Sequence, residues 1–271
     1  MDFRLMIKVF GAVLTLWVAV QAADHASISK SYLIKAEPKG RMEQDLPERD
    51  ESRQSYRLSP GARVEVSVIY GPVDIETGMS DTAEVHIVRS ARSRADLDSR
   101  KINIEQTATS LLIRGERDRS EGPARVRHRV VLKLPRRVEL SVQSINARVN
   151  IGEVDGAVRL SRINGAVKVA QVTATSEVSR INGSLTMGIA GLAGQGVRAE
   201  NINGAVELRF AEEVNADLVV TEFNGAVTPQ LTNVTVLEKT PRTIFRARIG
   251  AGGVSISISD VNGSVRLVRA G

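Results

Sequence analysis

Residues 163–167 of this chain read INGAV, an apolar residue followed by Asn-Gly and a return to an apolar residue. Related units occur throughout the second half of the chain, as INARV at 145–149, INGSL at 181–185, INGAV at 202–206, FNGAV at 223–227 and VNGSV at 261–265. The asparagines from 146 to 224 are separated by 18, 18, 21 and 21 residues. Asn262 lies 38 residues further on, which we interpret as two steps with one unmarked. A period near 20 residues predicts stacked repeats.

Asn-Gly between apolar runs also predicts a β-hairpin, so a meander of hairpins is the alternative. The two interpretations differ in where the apolar side chains point. Val169 and Val172 are three residues apart, as are Leu160 and Ile163, and a step of three changes the side-chain face within a straight strand. We expect a corner between such residues to restore the inward face, which favours the stacked coil over the meander.

The predicted fold is therefore all-β, a β-solenoid or β-roll of stacked short strands with Asn-Gly corners. One coil of about 18 residues loses roughly 1–2 kcal/mol of backbone entropy per residue, which its few aliphatic side chains do not offset alone. Neighbouring coils must therefore share hydrogen bonds and burial. We expect the asparagines to form a ladder of side-chain amides and the glycines to supply positive φ. The predicted corner residues are Asn164, Gly165, Asn182, Gly183, Asn203, Gly204, Asn224, Gly225, Asn262 and Gly263.

Residues 1–22 have the features of a secretory signal peptide. Arg4 and Lys8 precede an uncharged run from Val9 to Val20, and Val20-Gln21-Ala22 offers a cleavage site. A retained N-terminal anchor is the alternative. Residues 23–54 are predicted to be a charged, flexible tether. Residues 55–271 are predicted to form the β-strand-repeat domain, with its clearest repeats at 145–267. The mature chain should then not span a membrane and should be periplasmic or extracellular.

Short alternating runs predict strands before the repeats begin, at 63–68, 84–88, 101–105, 130–134 and 138–142. Residues 93–100 offer a possible short helix.

The repeated unit [Ile/Val]-Asn-Gly-x-[Val/Leu]-x-[Leu/Val] resembles the bacterial β-strand-repeat proteins grouped as "putative adhesins", a domain-of-unknown-function family. The closing stretch at 249–267 and the early unit at 70–75 share the pattern, so the resemblance covers about residue 56 to the end. It implies a right-handed β-solenoid or β-roll in the bacterial envelope. It brings no catalytic residues with it.

Composition limits the chemistry. The chain has no cysteine, and a net charge of +6 suggests tolerance of anionic neighbours such as lipid headgroups or acidic glycans. Few aromatic residues remain for base stacking, so we expect no nucleic-acid partner. His25, His86 and His128 are far apart in sequence and lack a second ligand at metal spacing, so we expect solvated or strand-surface histidines, no metal and no cofactor.

We expect a non-enzymatic envelope protein that presents a rigid surface to a protein or an anionic glycan. The residues predicted to bind an anionic surface are Arg159, Arg162, Lys168 and Arg180. A glycan-active β-helix enzyme is one alternative. Such an enzyme needs paired carboxylates. The candidate carboxylates are Asp74, Glu76, Asp155, Glu177 and Asp217. A periplasmic structural or signalling module is the other alternative.

Overall fold

The computed structural model describes residues 46–116, 126–211 and 214–270, and in these ranges it confirms the all-β prediction. One short helix, α1 (Arg94–Ser99), accompanies the strands. The strands are β1 (Glu48–Arg57), β2 (Ala62–Ile69), β3 (Val73–Gly78), β4 (Thr82–Ala91), β5 (Ile102–Gln106), β6 (Ser110–Gly115), β7 (Val126–Pro135), β8 (Val138–Ile145), β9 (Val149–Val154), β10 (Val158–Ile163), β11 (Val167–Val172), β12 (Ser176–Ile181), β13 (Leu185–Ile189), β14 (Val197–Ile202), β15 (Val206–Phe210), β16 (Ala216–Phe223), β17 (Val227–Gln230), β18 (Val234–Thr240), β19 (Ile244–Ile249), β20 (Val254–Val261) and β21 (Val265–Arg269).

The strands form two large sheets. Sheet 1 has the order β1-β4-β7-β3-β9-β11-β13-β15-β21-β17, and sheet 2 has the order β18-β19-β16-β20-β14-β12-β10-β8-β2-β6-β5. From β8 to β15 the chain alternates between the sheets, and each strand pairs in parallel with the strand two positions along. Val158 pairs with Ser176 and Ser176 pairs with Val197, so the registers follow the 18- and 21-residue spacings.

The last repeat does not lie where its position in the sequence suggests. β20 is inserted between β14 and β16, and β21 between β15 and β17. Asn262 therefore lies between Asn203 and Asn224, and its interpretation as two steps beyond Asn224 is wrong. The physical reason is the hairpin of β18 and β19, which pairs antiparallel with the other edge of β16 and accounts for the extra residues.

Side-chain amides join the Asn-Gly segments. Asn182 donates from Nδ2 to Oδ1 of Asn164 at 2.8 Å and accepts from Nδ2 of Asn203 at 2.9 Å. Equivalent bonds of 2.9–3.2 Å link Asn164 to Asn146, Asn262 to Asn203 and Asn224 to Asn262. Each such bond contributes about 0.5–1.5 kcal/mol, with exposed ones at the low end.

The glycines after these asparagines allow two backbones to approach closely. A Cβ on Gly204 would lie 2.4 Å from the carbonyl oxygen of Gly183, and one on Gly263 would lie 2.4 Å from that of Gly204. Gly204 and Gly263 do not have positive φ, so the expectation that glycine serves that purpose is wrong for them. Glycine is required at these positions because a Cβ would not fit between the backbones of neighbouring repeats.

The two residues of each three-residue step lie within a single strand. The corner that we expected between them is therefore wrong. Leu160 and Ile163 both belong to β10, and the intervening Arg162 has φ of 54°. This left-handed residue lets both aliphatic side chains face inward. Val169 and Val172 likewise both belong to β11, where the pairing with β13 shifts register.

The strands predicted before the repeats are present as β2, β4, β5, β7 and β8, and the possible helix is α1. Ser93 caps α1, since its Oγ accepts from the backbone N–H of Asp96 at 3.2 Å. Residues 48–54 belong to β1, which pairs antiparallel with β4, so the tether predicted to end at 54 is too long. Pairing with β4 gives β1 backbone hydrogen bonds, which could not be predicted from the charged sequence of β1. The predicted signal peptide and residues 23–45 lie outside the described residues.

The inward side chains of both sheets form one apolar core. It is mostly Val, Ile and Leu, with Phe210, Phe223 and Phe245 among the buried residues of the C-terminal repeats. A smaller cluster of Ala91, Leu97 and Val126 lies beneath α1. Within the described ranges, no helix combines the length and the hydrophobicity that crossing a membrane requires.

The close approach at the glycines leads to a stability prediction. Gly204→Ala should lower the free energy of unfolding by about 1–3 kcal/mol, because its methyl group would overlap the Gly183 carbonyl. Gly78→Ala is the matched control, since a Cβ there meets no atom within 4 Å. Urea unfolding of both variants measures the difference. Equal stability of the two variants would contradict the close approach.

Candidate functional site

The outward side chains of sheet 2 form columns, because parallel strands in register place equivalent residues side by side. One column crosses β8, β10, β12, β14 and β20 and consists of Ser141, Arg159, Glu177, Arg198 and Ser257. Arg159 Nε lies 3.5 Å from Glu177 Oε2, and Arg198 Nη2 lies 3.1 Å from Glu200 Oε2. Exposed pairs of this kind contribute about 0–1 kcal/mol, so they order the surface more than they stabilise the fold.

A second column of sheet 2 consists of non-glycine residues with the left-handed backbone conformation. Each lies two positions before one of the asparagines that hydrogen-bond between repeats. Their φ angles lie between 53° and 57°. Across the sheet their order is Ser144, Arg162, Arg180, Asn201, Asp260 and Glu222. The insertion of β20 makes Asp260 and Glu222 neighbours, while Arg162 and Arg180 are neighbours on β10 and β12. The column is thus basic in one part and acidic in another.

The structure brings three of the four predicted binding residues onto one sheet. Arg159 and Arg162 lie on β10, and Arg180 lies on the adjacent β12. Lys168 lies on β11 of sheet 1, so it does not share their sheet. Arg162 donates from Nε to Ser144 Oγ at 3.1 Å and also hydrogen-bonds the side-chain oxygen of Gln143, which fixes its guanidinium against β8.

Two shallow depressions lie on sheet 2 along β12, β14 and β20, and both are bordered by Glu177 and Arg198. Small polar side chains form much of their lining, including Ser179, Ser255 and Ser257. Hydroxyl groups between a carboxylate and a guanidinium offer donors and acceptors to a polar ligand on an open face.

The candidate carboxylates are distributed over four places in both sheets. Asp74 and Glu76 lie on β3, Asp155 follows β9, Glu177 lies on β12 and Asp217 lies on β16. Guanidinium nitrogens of Arg136 and Arg248 lie 3.3 Å from Asp155 and Asp217 respectively. Each of these two carboxylates therefore acts as a partner of an adjacent cation.

His128 is 2% exposed, so the expectation that it lies on the surface is wrong. It shares an inward face with Val126 and Val130, and this alternation was the signal in the sequence. The backbone N–H of Tyr70 donates to its Nδ1 at 3.2 Å, and the guanidinium of Arg100 lies 5.6 Å from the Tyr70 ring centroid. Burial, reinforced by nearby arginines, lowers the pKa of His128 to about 4.

His86 does lie at a strand surface, where its Nε2 is 2.9 Å from Glu51 Oε1. The hydrogen bond with His86, together with those from Arg53 and Arg49, lowers the pKa of Glu51. His25 lies outside the described residues. The described part of the chain contains no group of three or more His, Cys, Asp or Glu residues placed to hold a metal ion.

No family model matches the chain. No curated protein matches it either. Among solved structures, it is similar to a putative cell adhesion protein from Clostridium sporogenes, at 11% identity over 82% of this chain and 100% of that chain, with a TM-score of 0.43. It is also similar to putative adhesins from Bacteroides fragilis (7% identity, 81% and 97% of the chains, TM-score 0.26) and Parabacteroides merdae (10% identity, 79% and 95%, TM-score 0.29).

The buried imidazole predicts a pH-dependent stability. The ordinary pKa of histidine is about 6.5, so the unfolded chain binds more protons than the folded chain between pH 4 and pH 6.5. The contribution of neutral His128 is therefore fully present above that window and falls by about 3 kcal/mol as the pH is lowered through it. His128→Gln should remove this term. Urea unfolding at several pH values would contradict the assignment if the wild-type and variant curves ran parallel.

Proposed function

We propose that this chain is an exported β-solenoid of the bacterial cell envelope that binds its partner without transforming it. The outward columns of sheet 2 serve as a rigid surface for adhesion. The observation that carries this proposal is the in-register pairing of β8, β10, β12, β14 and β20. It holds exposed side chains at intervals of about 4.8 Å without a loop to reorganise.

Three observations support stacked coils with Asn-Gly corners. Strands 18 to 21 residues apart pair in parallel, and each Asn-Gly segment follows a strand of sheet 2 and precedes a strand of sheet 1. Amide hydrogen bonds link the asparagines of neighbouring repeats, as between Asn164 and Asn182. The glycine backbones approach so closely that a side chain does not fit.

The surface we assign to binding is the face around Arg159, Arg162 and Arg180. These cations lie on adjacent strands, and Glu177, which lies 3.5 Å from Arg159, borders both polar depressions together with Arg198. An anionic glycan of the envelope fits this chemistry, because its carboxylates accept from guanidinium groups and its hydroxyls pair with serines. Lys168 is left out because it belongs to sheet 1.

A purified soluble polyuronate is the probe for this surface, with neutral dextran for comparison. The full chain should bind the polyuronate, and R159Q/R162Q/R180Q should weaken binding about tenfold or more, since each lost cation contributes on the order of 1 kcal/mol. R92Q/R94Q/K101Q removes the same charge from an exposed segment around α1 and should bind like the wild type. Titration calorimetry at low salt measures the affinities.

Two outcomes would contradict this function. Equal loss in both triple variants would mean that only the net charge matters. Release of new sugar ends from the polyuronate by the full chain would instead support the rival, a glycan-active enzyme, which needs paired carboxylates.

Export is part of the same proposal and has its own measurement. The charged start, apolar run and small residues of the first 22 positions direct secretion. N-terminal sequencing of the chain recovered from the envelope of expressing bacteria should begin at Ala23. Recovery with Met1 intact would favour the retained anchor.

A further inference from the structure

A second charged surface, distinct from the arginines of sheet 2, lies at the N-terminal end of sheet 1. There β1, β4 and β7 pair antiparallel, so their outward side chains form a regular array. We call this array the basic grid. Its four rows are Arg49-Ser90-Arg127, Glu51-Val88-Arg129, Arg53-His86-Val131 and Ser55-Glu84-Lys133.

The basic grid carries five cationic side chains and two carboxylates, a net charge of about +3 with His86 neutral. Both carboxylates are already bound within it. Glu51 accepts from Arg49 and Arg53 at 3.0–3.1 Å, and Glu84 lies 3.0 Å from Lys133 Nζ. The cationic side chains of these three strands therefore outnumber the carboxylates with which they alternate.

Elsewhere on sheet 1 the outward charges are more evenly matched. Glu207 on β15 lies 2.8 Å from a nitrogen of Arg209 and 3.2 Å from one of Arg266 on β21. On β3, Asp74 and Glu76 add negative charge, and Asp74 accepts from Asn150 at 2.7 Å. Asp74 and Glu76 lie beside Val131 and Lys133 of β7, so the excess of cations ends where β3 begins.

The basic grid extends in two directions. Three strands span about 10 Å across the sheet and four alternate residues span about 20 Å along it. Its charged members are exposed, with 74% of the Arg53 side chain and 59% of the Lys133 side chain accessible. An array of cations that extends in two directions matches a surface of anionic groups, whereas a single polysaccharide chain follows a line.

The chain also enters the described structure at this place. β1 is the edge strand of sheet 1, and Glu48 begins it beside Arg49. Forty-seven residues precede β1, and the sequence predicts a membrane-directed signal in the first 22 of them. Within sheet 1, the basic grid is therefore the surface closest along the chain to the predicted signal, which contacts the membrane during export until cleavage after Ala22.

We propose that the basic grid docks onto the anionic phospholipid headgroups of a membrane surface. Lipid phosphates accept from Arg53, Arg127 and Arg129 while Glu51 keeps the neighbouring side chains in place. This inference concerns a different surface and a different partner from the adhesive face of sheet 2, so either assignment stands if the other fails.

Vesicle sedimentation with the full chain tests the docking. The readout is the ratio of partition onto phosphatidylcholine vesicles containing phosphatidylglycerol to partition onto phosphatidylcholine alone, which cancels any insertion of the apolar N-terminal run. The ratio should exceed one at low salt and approach one near 1 M salt, where the Debye length is about 3 Å. R53Q/R127Q/R129Q should lower it by roughly 10- to 100-fold.

R159Q/R162Q/R180Q is the matched control, because it removes the same charge from sheet 2 and should keep the wild-type ratio. Urea unfolding should show that both variants remain folded. An unchanged ratio in the basic-grid variant would overturn the docking, and so would an equal fall in both variants. Binding of the soluble polyuronate that depends on the basic grid, without vesicle binding, would replace the membrane by a glycan.

Discussion

The closeness of neighbouring Asn-Gly segments is the constraint on which the rest of the structure depends. Gly204 lies against the carbonyl of Gly183, and Asn203 hydrogen-bonds Asn182 at the same level. Together they fix the register of one repeat on the next, because a slip of one residue would place a Cβ in the backbone and separate the amides. Register in turn sets which side chains enter the core and which form the outward columns.

The left-handed residues connect this constraint to the surface. A non-glycine residue in this conformation costs on the order of 1 kcal/mol, and the chain accepts the cost once in each repeat. Arg162 and Arg180 adopt it so that Ile163 and Ile181 can return to the core. The same geometry leaves the side chains of both arginines exposed at the surface. Core packing and surface charge are therefore set by one backbone feature.

The sequence predicted the parts of the fold that follow from local spacing. The period of the INGAV units and the alternating runs identified the strands, because side-chain direction in a strand depends on neighbouring residues. It did not reveal the place of Asn262, which depends on a hairpin that pairs elsewhere. It did not reveal the basic grid either, because Arg53 and Arg129 come together only through pairings that join distant segments. The alternation of Val126, His128 and Val130 along β7 indicates that His128 points inward. Fully buried histidines are uncommon, however, so a surface position was expected.

Because β20 and β21 are inserted between strands that precede them in the sequence, the order of synthesis bears on how the repeats pair. β17 pairs only with β21 within the described sheet, so it has no native neighbour until the last strand has left the ribosome. Until then the unit at 223–227 can lie directly on the one at 202–206, since both contain the same Asn-Gly pattern. That arrangement occupies the slot into which β20 and β21 must fit. A nascent chain that paired in this way would have to open that contact before the final repeat could insert.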